Sequence, residues 1–226
     1  KVVPYSPRTT SVVSNFEANQ NYKEIQDPSI IVKFKDTAEE AYFLAWTTTP
    51  WTLPSNLALA VGKDITYVTI CDEDTGEKWT LAEKRLNFLY DSLKKVRKDG
   101  ANTYKILKTW QGKELVGKSY EPLFPFFDKT ENAFKILEAN YVTTDDGTGV
   151  VHQAPAFGED DFFTCRQNNI GLVDPTDEQG CFTDEAPDFK GLYFKDADKH
   201  ISKALKEKQL LLYHGTYKHT YPFDER

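Results

Sequence analysis

Apolar residues in this chain come mostly in short runs cut by turn residues, with few stretches at helical spacing. Ile30–Phe34 and Ala41–Trp46 flank the turn-like pair Asp36-Thr37 and read as two strands placed to pair antiparallel. Leu57–Val61 and Ile65–Ile70 are two further strands joined through Gly62-Lys63-Asp64. Asp74-Thr75-Gly76 then marks a hairpin into Trp79-Thr80-Leu81. Tyr104–Trp110, Phe134–Leu137, Gly149–Val151 and Leu210–Tyr213 complete the strand candidates. From Glu83 to Lys98, Leu86, Leu89, Tyr90, Leu93 and Val96 recur at three and four, the spacing of an amphipathic helix that Gly100 ends. Asp161–Gln167 reads as a short helix entered through an acidic turn. A third helix places Ala197, Ile201, Ala204 and Leu205 on one face, with Asp196 as its cap. Residues 1–28 are weakly patterned and read as an extended arm. Many short strands with few helices predict a mainly β fold with α, a closed or nearly closed β-barrel with peripheral helices. With no internal repeat, linker or βαβαβ alternation, one domain over residues 1–226 is expected.

Composition narrows the function classes. The chain has 226 residues, 39% of them hydrophobic and 28% charged, enough for one large core. Its apolar runs fall far short of the ~20 residues of a membrane span, and the start Lys1-Val2-Val3-Pro4 has no signal-type apolar stretch. No membrane partner is expected. Cys71, Cys165 and Cys181 form no CxxC pair, so neither a disulfide framework nor a zinc ribbon is indicated, and a reducing, cytoplasmic setting is expected. The formal net charge of −7 argues against a protein that grips a nucleic-acid backbone along its length. The densest basic stretch, Lys84, Arg85, Lys94, Lys95, Arg97 and Lys98, reads as a solvated helix face.

Two segments carry the candidate chemistry. Thr47-Thr48-Thr49 ends an apolar run that Pro50 stops, and is followed by Trp51-Thr52-Leu53-Pro54-Ser55-Asn56. Gly147-Thr148-Gly149 opens a short apolar strand that leads to His152, then through a loop to Glu159-Asp160-Asp161. Three hydroxyls in a row point to both faces of a strand, so one on the core side needs a partner. Hydroxyls, one imidazole and a carboxylate suit a small, cationic, partly apolar ligand, without a metal, a cofactor or a dedicated nucleophile. Each residue also has a plain structural reading: threonines favour strands, a histidine ending an apolar run is usually a satisfied buried one, and acidic residues in a first helical turn offset its dipole. The four histidines lack metal-ligand spacing. Gly112–Ser119 matches G-x-x-x-x-G-K-[ST] in full, but Pro122 and Pro125 deny it the helix that would hold phosphate.

Taken in order, TTTPWTLPSN, GKSYEPLF and GTGVVHQAPAFGEDD resemble the editing domain inserted in isoleucyl-tRNA synthetases, of the eukaryotic cytosolic type. The likeness spans nearly the whole chain, from Ser14–Asn19 to His219–Pro222. Valyl and leucyl editing domains typically carry Arg-Pro-Glu/Asp after two threonines, where this chain reads Thr49-Pro50-Trp51. The His-Ile-Gly-His and Lys-Met-Ser-Lys-Ser signatures of the synthetic site are missing, which implies an excised insertion that makes no aminoacyl-adenylate. After Tyr221-Pro222-Phe223 the family usually continues Cys-Trp-Arg, where this chain has Asp224-Glu225-Arg226.

The resemblance implies hydrolysis of valine wrongly esterified to the 3′ end of the isoleucine tRNA, and of valyl-adenylate. Its partners would be that tRNA end, the valine moiety and the remainder of a parent synthetase. The need for a second pocket is physical: one methylene alters pocket binding by only ~1–3 kcal/mol, and isoleucine against valine is itself the known example of that limit. By resemblance, Asp161 accepts the substrate's α-ammonium, and Thr47, Thr48 and Thr49 bond its carbonyl or hydroxyls and place water. Trp51 forms an apolar wall, Asn56 is a second polar contact or support, and His152 is a gate against isoleucine rather than a base. The backbone of Gly147, Thr148 and Gly149 lies against the terminal adenosine. A non-catalytic module that binds the tRNA end, and a phosphate-loop nucleotide hydrolase, are the alternative functions.

Overall fold

The computed structural model describes residues 2–14 and 22–222; Asn15–Asn19 and Asp224–Arg226, which bear on the resemblance, lie outside them. Strands β1 (Tyr5–Ser6) and β2 (Ser11–Val12) make a small hairpin in the amino-terminal arm. The main sheet orders β11 (Leu211–Pro222), β3 (Tyr22–Lys35), β4 (Tyr42–Thr47), β7 (Lys78–Ala82), β6 (Thr66–Asp72) and β8 (Tyr104–Gln111). A second sheet orders β10 (Val150–Gln153), β5 (Ala58–Val61) and β9 (Lys135–Glu138). Both are mixed: β3 and β4 pair antiparallel, β4 and β7 parallel, β5 and β9 parallel. The expected strand pairs β3–β4 and β6–β7 therefore form as read.

The central strands read as continuous apolar runs because the middle of the main sheet is buried on both faces. Ile30, Val32, Phe34, Phe43 and Ala45 point into a core shared with Ala58, Leu59, Val61, Ile136, Leu137 and Val150 of the second sheet. Their neighbours Ile31 and Leu44 point the other way, joining Val68, Ile70, Trp79 and Leu81 beneath helix α1 (Leu86–Val96). The fold is strand-rich and barrel-like with peripheral helices, but its ladders do not close into a ring. Where β4 and β10 lie side by side, Thr148 bridges the sheets instead, its hydroxyl donating to the Leu44 carbonyl at 2.6 Å and its own carbonyl accepting the Ala82 amide at 2.9 Å.

Two local expectations are corrected. Asp196 does not cap the third helix: α4 spans Phe194–Glu207 with Tyr193 at its cap, and Asp196 lies within the first turn. The basic stretch is not wholly solvated. Arg97 pairs with the buried Asp72 at 3.0 Å, and Arg85 donates to the Gly147 carbonyl at 2.7 Å. Strands β5 and β6, adjacent in sequence, belong to different sheets.

The phosphate-loop match forms another structure. Its residues make the four-residue helix α2 (Gly112–Leu115) at their start, where a phosphate loop would have its helix at the end. Gly112 is needed for packing, since a Cβ there would lie 1.8 Å from the Gly62 carbonyl oxygen. Lys118 is occupied by Asp36 at 2.9 Å and Glu39 at 3.5 Å.

Candidate active site

Strand β4 ends at Thr47, and Thr48 and Thr49 follow it before the turn at Pro50, with the three threonines facing two sides at the end of the main sheet. Thr47 and Thr49 line a cleft of about 190 Å³ with Trp46, Thr52, Val151, His152, Ala154, Phe157, Gly158 and Asp161. Thr48 faces a neighbouring cleft of about 290 Å³, which is walled by Trp46, Tyr141, Thr143, Asp146 and Gly147–Val151. Trp46, Thr47 and Val151 are common to both, so the clefts adjoin. Thr47 and Thr49 fix one another: their hydroxyls lie 3.2 Å apart, and the Thr49 amide donates to Thr47 Oγ1 at 3.1 Å.

The acidic corner is built by a tight turn. Ala154 begins it, Pro155 supplies a fixed φ at its second position, and Phe157 donates back to the Ala154 carbonyl at 2.9 Å. Gly158 then opens helix α3 (Glu159–Gln167), and Asp161 in its first turn reaches back to accept the Ala154 amide at 2.8 Å. The carboxylate lies against the backbone of Gly158: a Cβ there would meet Asp161 Oδ1 at 2.7 Å, so a larger residue would push the carboxylate from its place. Burial, offset in part by the Ala154 amide, pushes the Asp161 carboxyl above the ordinary carboxylate range. A desolvated carboxylate of this kind gains from an incoming cation.

His152, at the end of β10, is held from both sides. Asn56 Nδ2 lies 2.8 Å from its Nδ1, and Thr52 Oγ1 lies 2.8 Å from its Nε2. The partners determine the tautomer, because an amide nitrogen only donates. Tyr120 OH donates to Asn56 Oδ1; Asn56 Nδ2 donates to the Ala58 carbonyl and to His152 Nδ1. His152 therefore carries its proton on Nε2 and donates it to Thr52 Oγ1, whose own proton goes to the Thr49 carbonyl at 2.9 Å. Every group in this relay is satisfied, and both ring nitrogens are used.

Burial drives the His152 pKa down from 6.5 to about 3. A depressed histidine contributes stability that is present above its unfolded value of 6.5 and lost as pH falls through 3. The His152 ring signals in a proton NMR titration should accordingly stay constant from about pH 8 to pH 4; a midpoint near 6 would contradict the relay. Asn56→Ala should lower stability by ~3 kcal/mol or more, since it orphans Tyr120 OH, His152 Nδ1 and the Ala58 carbonyl. A fall in the urea midpoint without a change in slope is the measurement.

Two expected site residues stand behind the first cleft rather than on its wall. Asn56 is buried and acts only through His152. Trp51 packs its ring 4.7 Å from both Phe157 and Phe194, so Phe157 is the apolar wall and Trp51 its backing. Gly147, Thr148 and Gly149 line the second cleft. Gly149 sits at φ +78°, and a side chain there would strike Ala82 at 2.5 Å. Tyr67 OH donates to the Gly149 carbonyl, which fixes this loop from β6. Sequence reasoning missed Trp46, Thr52, Phe157 and Tyr141 as contributors. Thr52 had a signal, for it follows Thr49 by one helical turn. No group of three or more His, Cys, Asp or Glu side chains stands ready for a metal among the described residues. Nor is any helix among them long and apolar enough to cross a membrane.

No protein-family model matches the chain. It is 53% identical over 231 aligned positions to the isoleucine--tRNA ligase of Tetrahymena thermophila, and 48% identical over 225 to that of Chlamydia caviae. Each alignment covers 99% of this chain and 21% of the relative, so the chain spans about a fifth of the length of the curated relatives it matches. In structure it is similar to GlLeuRS-CP1, with a TM-score of 0.59 and 13% identity, covering 83% of this chain and 99% of that one. The editing domain of the P. knowlesi cytosolic leucyl-tRNA synthetase gives a TM-score of 0.56 and 10% identity, covering 92% and 99%. The fold is that of a synthetase editing domain, and the sequence resemblance to isoleucyl-tRNA synthetases is borne out.

Proposed function

We infer, from a chain that matches a fifth of the isoleucine--tRNA ligases along nearly its whole length and folds as a leucyl-tRNA synthetase editing domain, that this is the proofreading domain of an isoleucyl-tRNA synthetase. It hydrolyses valine wrongly esterified to the isoleucine tRNA and, in the same pocket, valyl-adenylate, while sparing isoleucine. Residues 1–226 act as one domain of a larger cytoplasmic synthetase, with the tRNA body held elsewhere in the parent.

The observation that carries this reading is one cleft lined by threonine hydroxyls, a desolvated carboxylate and a neutral, doubly bonded imidazole. Asp161 accepts the α-ammonium of the aminoacyl ester, with the charge-assisted bond strengthened by its burial. Thr47 and Thr49 bond the ester carbonyl and orient a water. The water oxygen attacks the carbonyl carbon, the bond to the ribose oxygen breaks, and the proton passes to that oxygen, assisted by the neighbouring ribose hydroxyl. An aminoacyl ester is already activated, so positioning supplies the catalysis and no nucleophilic side chain is needed. His152, its nitrogens committed, meets the amino-acid side chain as a fixed obstacle and excludes the longer branch of isoleucine. The terminal adenosine occupies the adjoining cleft against Gly147–Gly149, with Thr48 beside it.

Incubating the chain, alone and within the full-length ligase, with valyl- and isoleucyl-tRNA tests the reading. Valine should be released and isoleucine retained. Binding of the tRNA end with no release of valine would make this a non-catalytic module.

A further inference from the structure

We propose that Asp198 is a positioning residue for the hydrolytic site: from helix α4 it takes over the capping of the turn after the threonines and so leaves the Thr49 hydroxyl to the cleft. This inference rests on the proofreading reading above. The turn Pro50–Ser55 is a short 3-10 helix with Thr49 at its cap position. A threonine there ordinarily turns its hydroxyl onto the amide of the second or third helical residue. Pro50 has no amide, so the first orphan donor is that of Trp51, which the helix itself cannot satisfy. Thr49 makes no such bond: its hydroxyl faces Thr47 Oγ1 and the cleft. Asp198, 147 positions away, accepts the Trp51 amide instead, at 2.8 Å.

Helix α4 is built to hold that contact. It packs along the turn, Phe194 lies 4.7 Å from the Trp51 ring at a tilt of 53°, and Asp198 is only 9% exposed. Burial raises the Asp198 carboxyl to about 7, while the Trp51 amide and Lys195 lower it and Asp27 raises it. Lys195 also reaches Asp27 on β3 at 3.3 Å. A carboxyl with raised pKa reduces stability as pH climbs from the ordinary carboxylate range to about 7. The same turn carries Thr52, so the contact also steadies the hydroxyl that receives the His152 proton.

The test is valyl-tRNA deacylation by the full-length ligase carrying Asp198→Ala, Asp198→Asn, Thr49→Val or Asp198→Ala with Thr49→Val. Asp198→Ala should lower kcat about tenfold with little change in KM, as the Thr49 hydroxyl turns back to cap Trp51. In the Thr49→Val background the same change should cost no more than about twofold, because the hydroxyl it misplaces is already gone. Asp198→Asn keeps an acceptor and should stay near the parent. Equal losses in both backgrounds, a parent-like Asp198→Ala, or an Asp198→Asn as slow as Asp198→Ala would each overturn the assignment. A second readout does not depend on activity or on the alanine variant folding. The Trp51 amide resonance should shift with a midpoint near pH 7 in the parent and lose that step in Asp198→Asn; persistence of the step would overturn the contact. A parent ligase that releases no valine would sink the proofreading reading, and the amide titration alone would then decide on the contact.

Discussion

Asp161→Ala should reduce valyl-tRNA deacylation about ten- to a hundredfold, the equivalent of a charge-assisted hydrogen bond of roughly 1.5–3 kcal/mol. The ammonium is present in ground and transition states alike, so most of the loss should appear in KM, with a smaller fall in kcat from looser placement of the ester. The variant should fold. Burial raises the pKa of this carboxyl, which offsets part of what it contributes at neutral pH; what is lost is the acceptor for the Ala154 amide and a favourable charge at the start of α3, roughly 1 kcal/mol each. Stability and activity therefore separate in this one substitution. An Asp161→Ala protein that clears valyl-tRNA at the parent rate would remove the ammonium anchor, and with it the assignment of the first cleft.

The strands were legible because a sheet buried on both faces writes itself as continuous apolar runs, as Ile30–Phe34 and Ala41–Trp46 do. Their sheet membership was not, since nothing in the turn Gly62-Lys63-Asp64 tells that it carries the chain from one sheet to the other. Thr47, Thr49, His152 and Asp161 could be picked out in two local segments, and the fold brings them to one cleft. What surrounds them was hidden by distance along the chain. Tyr120 reaches Asn56 across 64 positions, Asn56 reaches His152 across 96, and Asp198 reaches Trp51 across 147. No local pattern encodes such contacts. Trp51 and Asn56 look like site residues in sequence because they neighbour the threonines, yet the 3-10 turn at Pro50 rotates both behind the wall.

The sharpest consequence concerns specificity. His152→Ala should admit isoleucine: the variant should release isoleucine from its cognate tRNA, with the preference for valine shrinking to within about tenfold. A closed pocket excludes the larger side chain by overlap with a fixed obstacle, so removing the obstacle removes the discrimination. The relay predicts that the site survives this truncation. Asn56 keeps Tyr120 and the Ala58 carbonyl, and Thr52 keeps the Thr49 carbonyl, so each loses one partner of several and the space left is polar enough for water. Valine release should therefore persist, which distinguishes a widened pocket from a collapsed one. If His152 were instead a general base, valine release would fall by 10²–10⁴-fold and isoleucine would gain nothing. The two roles give opposite results in a single experiment. A doubly bonded imidazole with a pKa near 3 has no free nitrogen for the second role, and continued rejection of isoleucine by His152→Ala would remove the first.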